Sequence, residues 1–105
     1  MRYTYNKLVR DKIPQYIERK PGKKSTWKVL DDEEYIKELN KKLIEEANEF
    51  IEKNSEEELA DVLEVIESIV EYKKISMDNV KEIQKNKREE RGSFRDKIYL
   101  EYVDE

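Results

Sequence analysis

The chain contains neither cysteine nor histidine. The first absence excludes a disulfide framework and any thiolate metal site. The second removes imidazole acid–base catalysis, Ser–His triads and His-ligated zinc. No apolar run approaches the length of a membrane span, and the N-terminus lacks the apolar stretch of a signal peptide. These absences lead us to expect a cytoplasmic protein with no membrane partner. Glycine and proline occur only twice each, so points where regular structure must break are few. Any chemistry therefore falls to carboxylates, Lys, Arg, Tyr and hydroxyls.

What is present is charge. Charged residues make up 46% of the 105 positions, with a net charge of −4. The charge is segregated: residues 1–30 carry a balance of +7, residues 31–80 of −11, and residues 81–105 of zero. An acidic centre between basic flanks suits a bound cation with an anionic ligand above it, although charge on helices is commonly a solvated face. The length is that of a single domain, 1–105, large enough for a modest core.

Apolar residues recur at helical spacing. The stretch "YNKLVRDKIPQYIERKPG" reads as a short helix interrupted at Ile13-Pro14, followed by a "KPGKKS" loop and a short strand over "TWKVL". Asp31 with Glu34, and Ser55 with Glu58, have capping-box spacing. They predict a first long helix ending near Lys53 and a second over about Glu56–Lys74. Ser76 begins a third helix that ends before Arg91-Gly92, and "FRDKIYLEYV" alternates like a terminal strand. The expected fold class is all-α: a helical bundle built on an antiparallel helix hairpin and completed by oligomerisation, with a small terminal strand pair. A homodimer or homotetramer is expected because the apolar arcs of the two long helices are wider than one short third helix can cover.

Two acids break the binary pattern. At about 100° per residue, Glu46 falls between Tyr35 and Leu39 within the apolar arc of the first long helix, with Glu49 and then Glu45 further out on the same edge. On the second, Glu58 falls between Val65 and Ile69, and Asp61 sits just outside Val65. Unpaired carboxylates rarely occupy such positions, because desolvation is costly. A hairpin pivoting near Asn54 sets Glu49 level with Glu58 and Glu46 level with Asp61, each pair within roughly 1.5 Å in height. Four converging carboxylates repel one another unless a cation sits among them. All-oxygen ligation selects a hard ion, Mg²⁺ first and Mn²⁺ as a substitute. Other readings stand beside this one: Glu58 as the capping partner of Ser55, and Glu45 and Glu49 as solvated helix face.

The segments "EEANE" (Glu45, Glu46, Glu49) and "ELAD" (Glu58, Asp61) resemble the paired EExxE and ExxD motifs of the all-α nucleotide pyrophosphohydrolases. That superfamily includes the MazG proteins and the phosphoribosyl-ATP pyrophosphohydrolases. "YNKLVRDKIP", "VLDDEEY" and "KREERGSF" are similar, in the same order, to a MazG-like branch. The eight residues between Glu49 and Glu58 are fewer than the dozen or more usual there. The resemblance implies hydrolysis of the α–β phosphoanhydride of a nucleoside triphosphate to monophosphate and pyrophosphate. It implies Mg²⁺ held by Glu46, Glu49, Glu58 and Asp61, and Glu45 or Glu49 as the catalytic carboxylate that orients or deprotonates water.

A polyphosphate substrate also needs cationic side chains. Lys87 and Arg91 stand at i and i+4 near the end of the third helix, and Lys7 and Arg10 form a second candidate pair. Bases near Gly92 also suit a plain helix C-terminus. Trp27 and the seven tyrosines offer rings for stacking a base, or core and interface packing, and the pattern singles out none. The expected partner is a nucleotide, not a nucleic-acid polymer. The alternatives are the phosphoribosyl-ATP step of histidine biosynthesis, or a non-catalytic helical oligomerisation module.

Overall fold

A computed structural model describes all 105 residues, which divide into two compact units, Met1–Lys73 and Lys74–Glu105. Helices α1 (Ile13–Glu18), α2 (Asp32–Lys53) and α3 (Glu56–Tyr72) belong to the first unit, and α4 (Met77–Arg91) to the second. No strand is present.

The first unit is built on the α2–α3 hairpin. Asp31 caps α2 by accepting from the Glu34 N–H at 2.8 Å. The helix stops at Asn54, which adopts the left-handed conformation (φ 54°) and donates its N–H to the Phe50 carbonyl at 2.7 Å. Asparagine tolerates that conformation better than most residues. Ser55 follows at once as the cap of α3, its hydroxyl accepting from the Glu58 N–H at 3.3 Å. Two residues therefore reverse the chain, and the helices pack antiparallel along their lengths. Three acids in the first turn of each helix favour the positive end of its dipole.

At the open end of the hairpin, the Tyr35 and Tyr72 rings meet edge to face with centroids 5.3 Å apart. The Tyr72 hydroxyl donates to the Asp32 carbonyl at 3.2 Å, tying the end of α3 to the start of α2. Only Leu39 and Val65 are buried, at 3% and 7% exposure. Ile44 and Ile51 of α2, with Leu59, Leu63 and Ile66 of α3, remain exposed. The hairpin covers only part of its own apolar surface.

In the second unit, Ser76 caps α4 by accepting from the Asn79 N–H, and Gly92 (φ 86°) ends it. Phe94, Ile98, Tyr99 and Leu100 in the following segment are exposed.

Several expectations need correction. Pro14 does not interrupt a helix; it begins one, occupying the first turn of α1, where its fixed φ is preorganised and its missing N–H costs nothing. Helix α3 ends at Tyr72, two residues short of the expected Lys74, which has φ 56°. Helix α4 runs through Arg91 instead of stopping before it. The terminal strand pair is absent: neither "TWKVL" nor "FRDKIYLEYV" forms a strand. Alternation alone does not hold a strand, which needs a neighbour to satisfy its N–H and C=O groups.

Candidate metal centre

The two-residue turn sets the register of the carboxylates. One carboxylate oxygen from each of Glu46 on α2 and Glu58 and Asp61 on α3 lies within 4.8 Å of the other two. Glu58 and Asp61 are a helical turn apart on one face of α3, and Glu46 reaches them from α2. The side chains of Glu46 and Glu58 are largely covered, with 14% and 16% exposure, whereas Asp61 is more open at 39%.

Glu58 makes only half of a capping box. Its N–H binds the Ser55 hydroxyl, but its carboxylate makes no return hydrogen bond to the Ser55 N–H. The side chain is thus free to join Glu46 and Asp61.

Basic side chains reach all three acids. Lys42 Nζ lies 3.4 Å from Glu46, Arg10 Nη2 donates to Asp61 Oδ1 at 2.7 Å, and Lys53 Nζ stands 4.0 Å from Glu58. Arg10 also approaches Glu64, at 3.9 Å. The cluster is therefore electrically compensated, with its cations drawn from α2 and from the N-terminal segment.

Glu49 stands outside the trio. Its carboxylate pairs with Lys53 at 3.0 Å, and that hydrogen bond, with the Glu49 charge, raises the Lys53 pKa. This position follows from its angle on α2, farther from the apolar seam than Glu46. Glu45 pairs with Lys7 at 3.1 Å and with Lys42 at 3.3 Å. The Lys7 hydrogen bond lowers the Glu45 pKa against the opposing effect of burial, and the same contact raises that of Lys7.

Of the expected phosphate-binding residues, Lys7 and Arg10 lie against these carboxylates. Lys87 and Arg91 are in the second unit, on the last turns of α4. Sequence reasoning missed Lys42 and Lys53 as members of the cluster. Their signal was present: Lys42 is four residues before Glu46, Lys53 four after Glu49, and residues at that spacing share a helix face.

A groove of about 710 Å³ adjoins the cluster, with Glu46, Asp61, Lys42 and Arg10 in its lining. Tyr35 and Tyr72, eleven residues along α2 and α3 from Glu46 and Asp61, also line it. No family model, curated protein or solved structure matches this chain.

Proposed function

We propose that the protein is a Mg²⁺-dependent nucleoside triphosphate pyrophosphohydrolase, converting a triphosphate and water to a monophosphate and pyrophosphate, with a house-cleaning role in the cytoplasm. The observation that carries this reading is the convergence of Glu46, Glu58 and Asp61 across the hairpin, two of them largely covered, beside a nucleotide-sized groove. An oxygen-only donor set without His or Cys fits a hard cation, Mg²⁺ with Mn²⁺ as a substitute. These three carboxylates would hold it, with Glu49 one turn along α2 as a further ligand. The bound ion supplies charge neutralisation at phosphate oxygens and a more acidic water.

The protein's own groups divide the remaining work. Glu45, kept ionised by Lys7, accepts a hydrogen bond from the attacking water and orients it, and Glu49 is the second carboxylate available for that role. Arg10 trades its contact with Asp61 for the phosphate oxygens, to which its planar fork is suited. Lys7 adds a mobile positive charge. No covalent intermediate is required, because positioning and charge neutralisation carry most phosphoryl-transfer catalysis.

The active species is a homodimer or homotetramer. The exposed apolar side chains on α2 and α3, and the small number of buried ones, support a second copy covering that face. No helix is long and apolar enough to cross a membrane. The reading is tested by assaying pyrophosphate release from a panel of nucleoside triphosphates and phosphoribosyl-ATP, with and without Mg²⁺. Mg²⁺-dependent release from triphosphates supports it; preference for phosphoribosyl-ATP moves the assignment to that substrate, and no release from any overturns it.

A further inference from the structure

The segment before α1 forms no helix or strand, yet its Leu8, Val9, Arg10 and Asp11 make one wall of the groove. No backbone hydrogen bond joins residues 1–9 to any helix. Of the residues before α1, Leu8 alone is half-buried, and the rest are exposed. Ion pairs fasten the segment to the hairpin: Lys7 with Glu45 at 3.1 Å, and Arg10 with Asp61 at 2.7 Å and with Glu64 at 3.9 Å.

These fastenings are of a kind that can be exchanged. Every side chain in them is at least 36% exposed. A solvent-exposed pair multiplies a closed population by about fivefold at most, and salt screens it. Segments held so lightly open locally while the rest of a fold stays in place. The hairpin beneath has its own supports: Asp31 and Ser55 cap its helices, and Tyr72 ties its open end. Lys42 lies on α2 itself and reaches Glu45 and Glu46 from there, so it does not depend on the segment. Arg10 does, and it holds Asp61, a carboxylate that also lies within reach of Glu46 and Glu58. A cation entering among those three acids meets the Arg10 guanidinium on the same carboxylate, and the two repel.

We propose that Lys7–Arg10 is a detachable strap: in the empty protein its two cations close one side of the groove, and a divalent cation taking Asp61 unfastens it. The proposal rests on the metal reading of Glu46, Glu58 and Asp61. Displacement of Arg10 leaves the exposed Lys7–Glu45 pair as the last ionic fastening, and the wall made by Leu8 and Val9 swings free. The linkage is reciprocal: the strap weakens the cation by the same factor as the cation loosens the strap. Arg10 and Lys7, once released, are available to phosphate oxygens.

Nitrogen NMR relaxation on the full chain tests this, because it reports backbone order residue by residue. At low ionic strength without divalent cation, Lys7–Arg10 should lie near the order parameter of rigid backbone, about 0.85. Saturating Mg²⁺ at constant ionic strength should bring these residues below about 0.6, with α2 and α3 unchanged. The double variant Lys7→Met, Arg10→Met should be loose with no Mg²⁺ present. A segment already loose in the empty protein, or still ordered in the double variant, overturns the proposal. So does a segment unmoved by Mg²⁺ that shifts the Glu46, Glu58 and Asp61 resonances, a result that leaves the metal reading standing. If Mg²⁺ shifts none of those resonances, the metal reading falls. Sodium chloride at about 1 M, where the Debye length is about 3 Å, then decides the strap: loosening upholds an ionic fastening, and unmoved order overturns it.

Discussion

Arg10→Ala should affect two properties of the site in opposite directions. The guanidinium sits 2.7 Å from Asp61 and 3.9 Å from Glu64, and both acids are partly exposed. An exposed ion pair contributes about 0.2–1 kcal/mol, so the fold should lose no more than that. The same pair would compete with the proposed cation for Asp61. Removing it should tighten apparent Mg²⁺ binding by up to about fivefold, the equivalent of 1 kcal/mol. Turnover should fall nonetheless, because the released guanidinium is the group proposed to meet the phosphates. Loss of a charge-assisted contact of about 1.5–3 kcal/mol corresponds to a drop in kcat/KM of about 10- to 150-fold. The assay is pyrophosphate release titrated with Mg²⁺ at fixed nucleotide, then with nucleotide at saturating Mg²⁺. A lower Mg²⁺ midpoint together with a lower kcat/KM is expected. Unchanged kcat/KM, or a higher Mg²⁺ midpoint, would refute the exchange of Arg10 between Asp61 and substrate.

Six other substitutions bear on the same geometry. Glu46→Gln and Asp61→Asn should each abolish Mg²⁺-dependent hydrolysis with the helical circular dichroism retained, while Glu52→Gln, outside the cluster, should leave turnover near normal. Leu39→Ala should cost about 2–5 kcal/mol in chemical denaturation, because it removes one of the two buried side chains; a cost below 1 kcal/mol would place the core elsewhere. Leu63→Asp should convert the proposed oligomer to a less active, smaller species in sedimentation velocity, and an unchanged sedimentation coefficient would show that this face of α3 is not an interface. The Lys7–Glu45 pair should also give a signed pH dependence: Glu45 is depressed, so its contribution is present above its unfolded pKa and lost as pH falls through its folded one. Lys7 is raised, so its contribution is lost only as alkaline pH passes its folded value. Lys7→Met should move the Glu45 titration, followed by NMR, back toward the ordinary carboxylate range, and an unmoved midpoint would contradict the pairing.

The hairpin was legible because its signals are local and repeated. Asp31, Ser55 and Ser76 each cap the helix expected of them, and Asn54 marks the turn. The meeting of Glu46 with Glu58 and Asp61 followed from helical angle and turn length, both of which can be counted along the chain. Glu49 was harder to place, because levelness is not convergence: equal height leaves the direction of a side chain free, and Lys53 captures this one. The strand expectation at residues 94–103 failed because alternation describes one segment, whereas a ladder needs two. Pro14 was misread through its usual helix-breaking role, when the same fixed φ starts a helix as readily as it ends one. The groove was least legible of all, because its wall combines Leu8, Val9 and Ile13 with helices many residues away, a packing no periodicity encodes.

The central claim is that the carboxylates joining α2 to α3 hold a divalent cation for cleavage between the α and β phosphates. Phosphorus NMR of a nucleoside triphosphate incubated with the protein tests it directly, by identifying which bond breaks. Equimolar monophosphate and pyrophosphate, formed only with Mg²⁺ or Mn²⁺ and absent with Glu46→Gln, is the predicted result. Release of orthophosphate with a diphosphate, equal hydrolysis in chelator, or full activity in Glu46→Gln would contradict it.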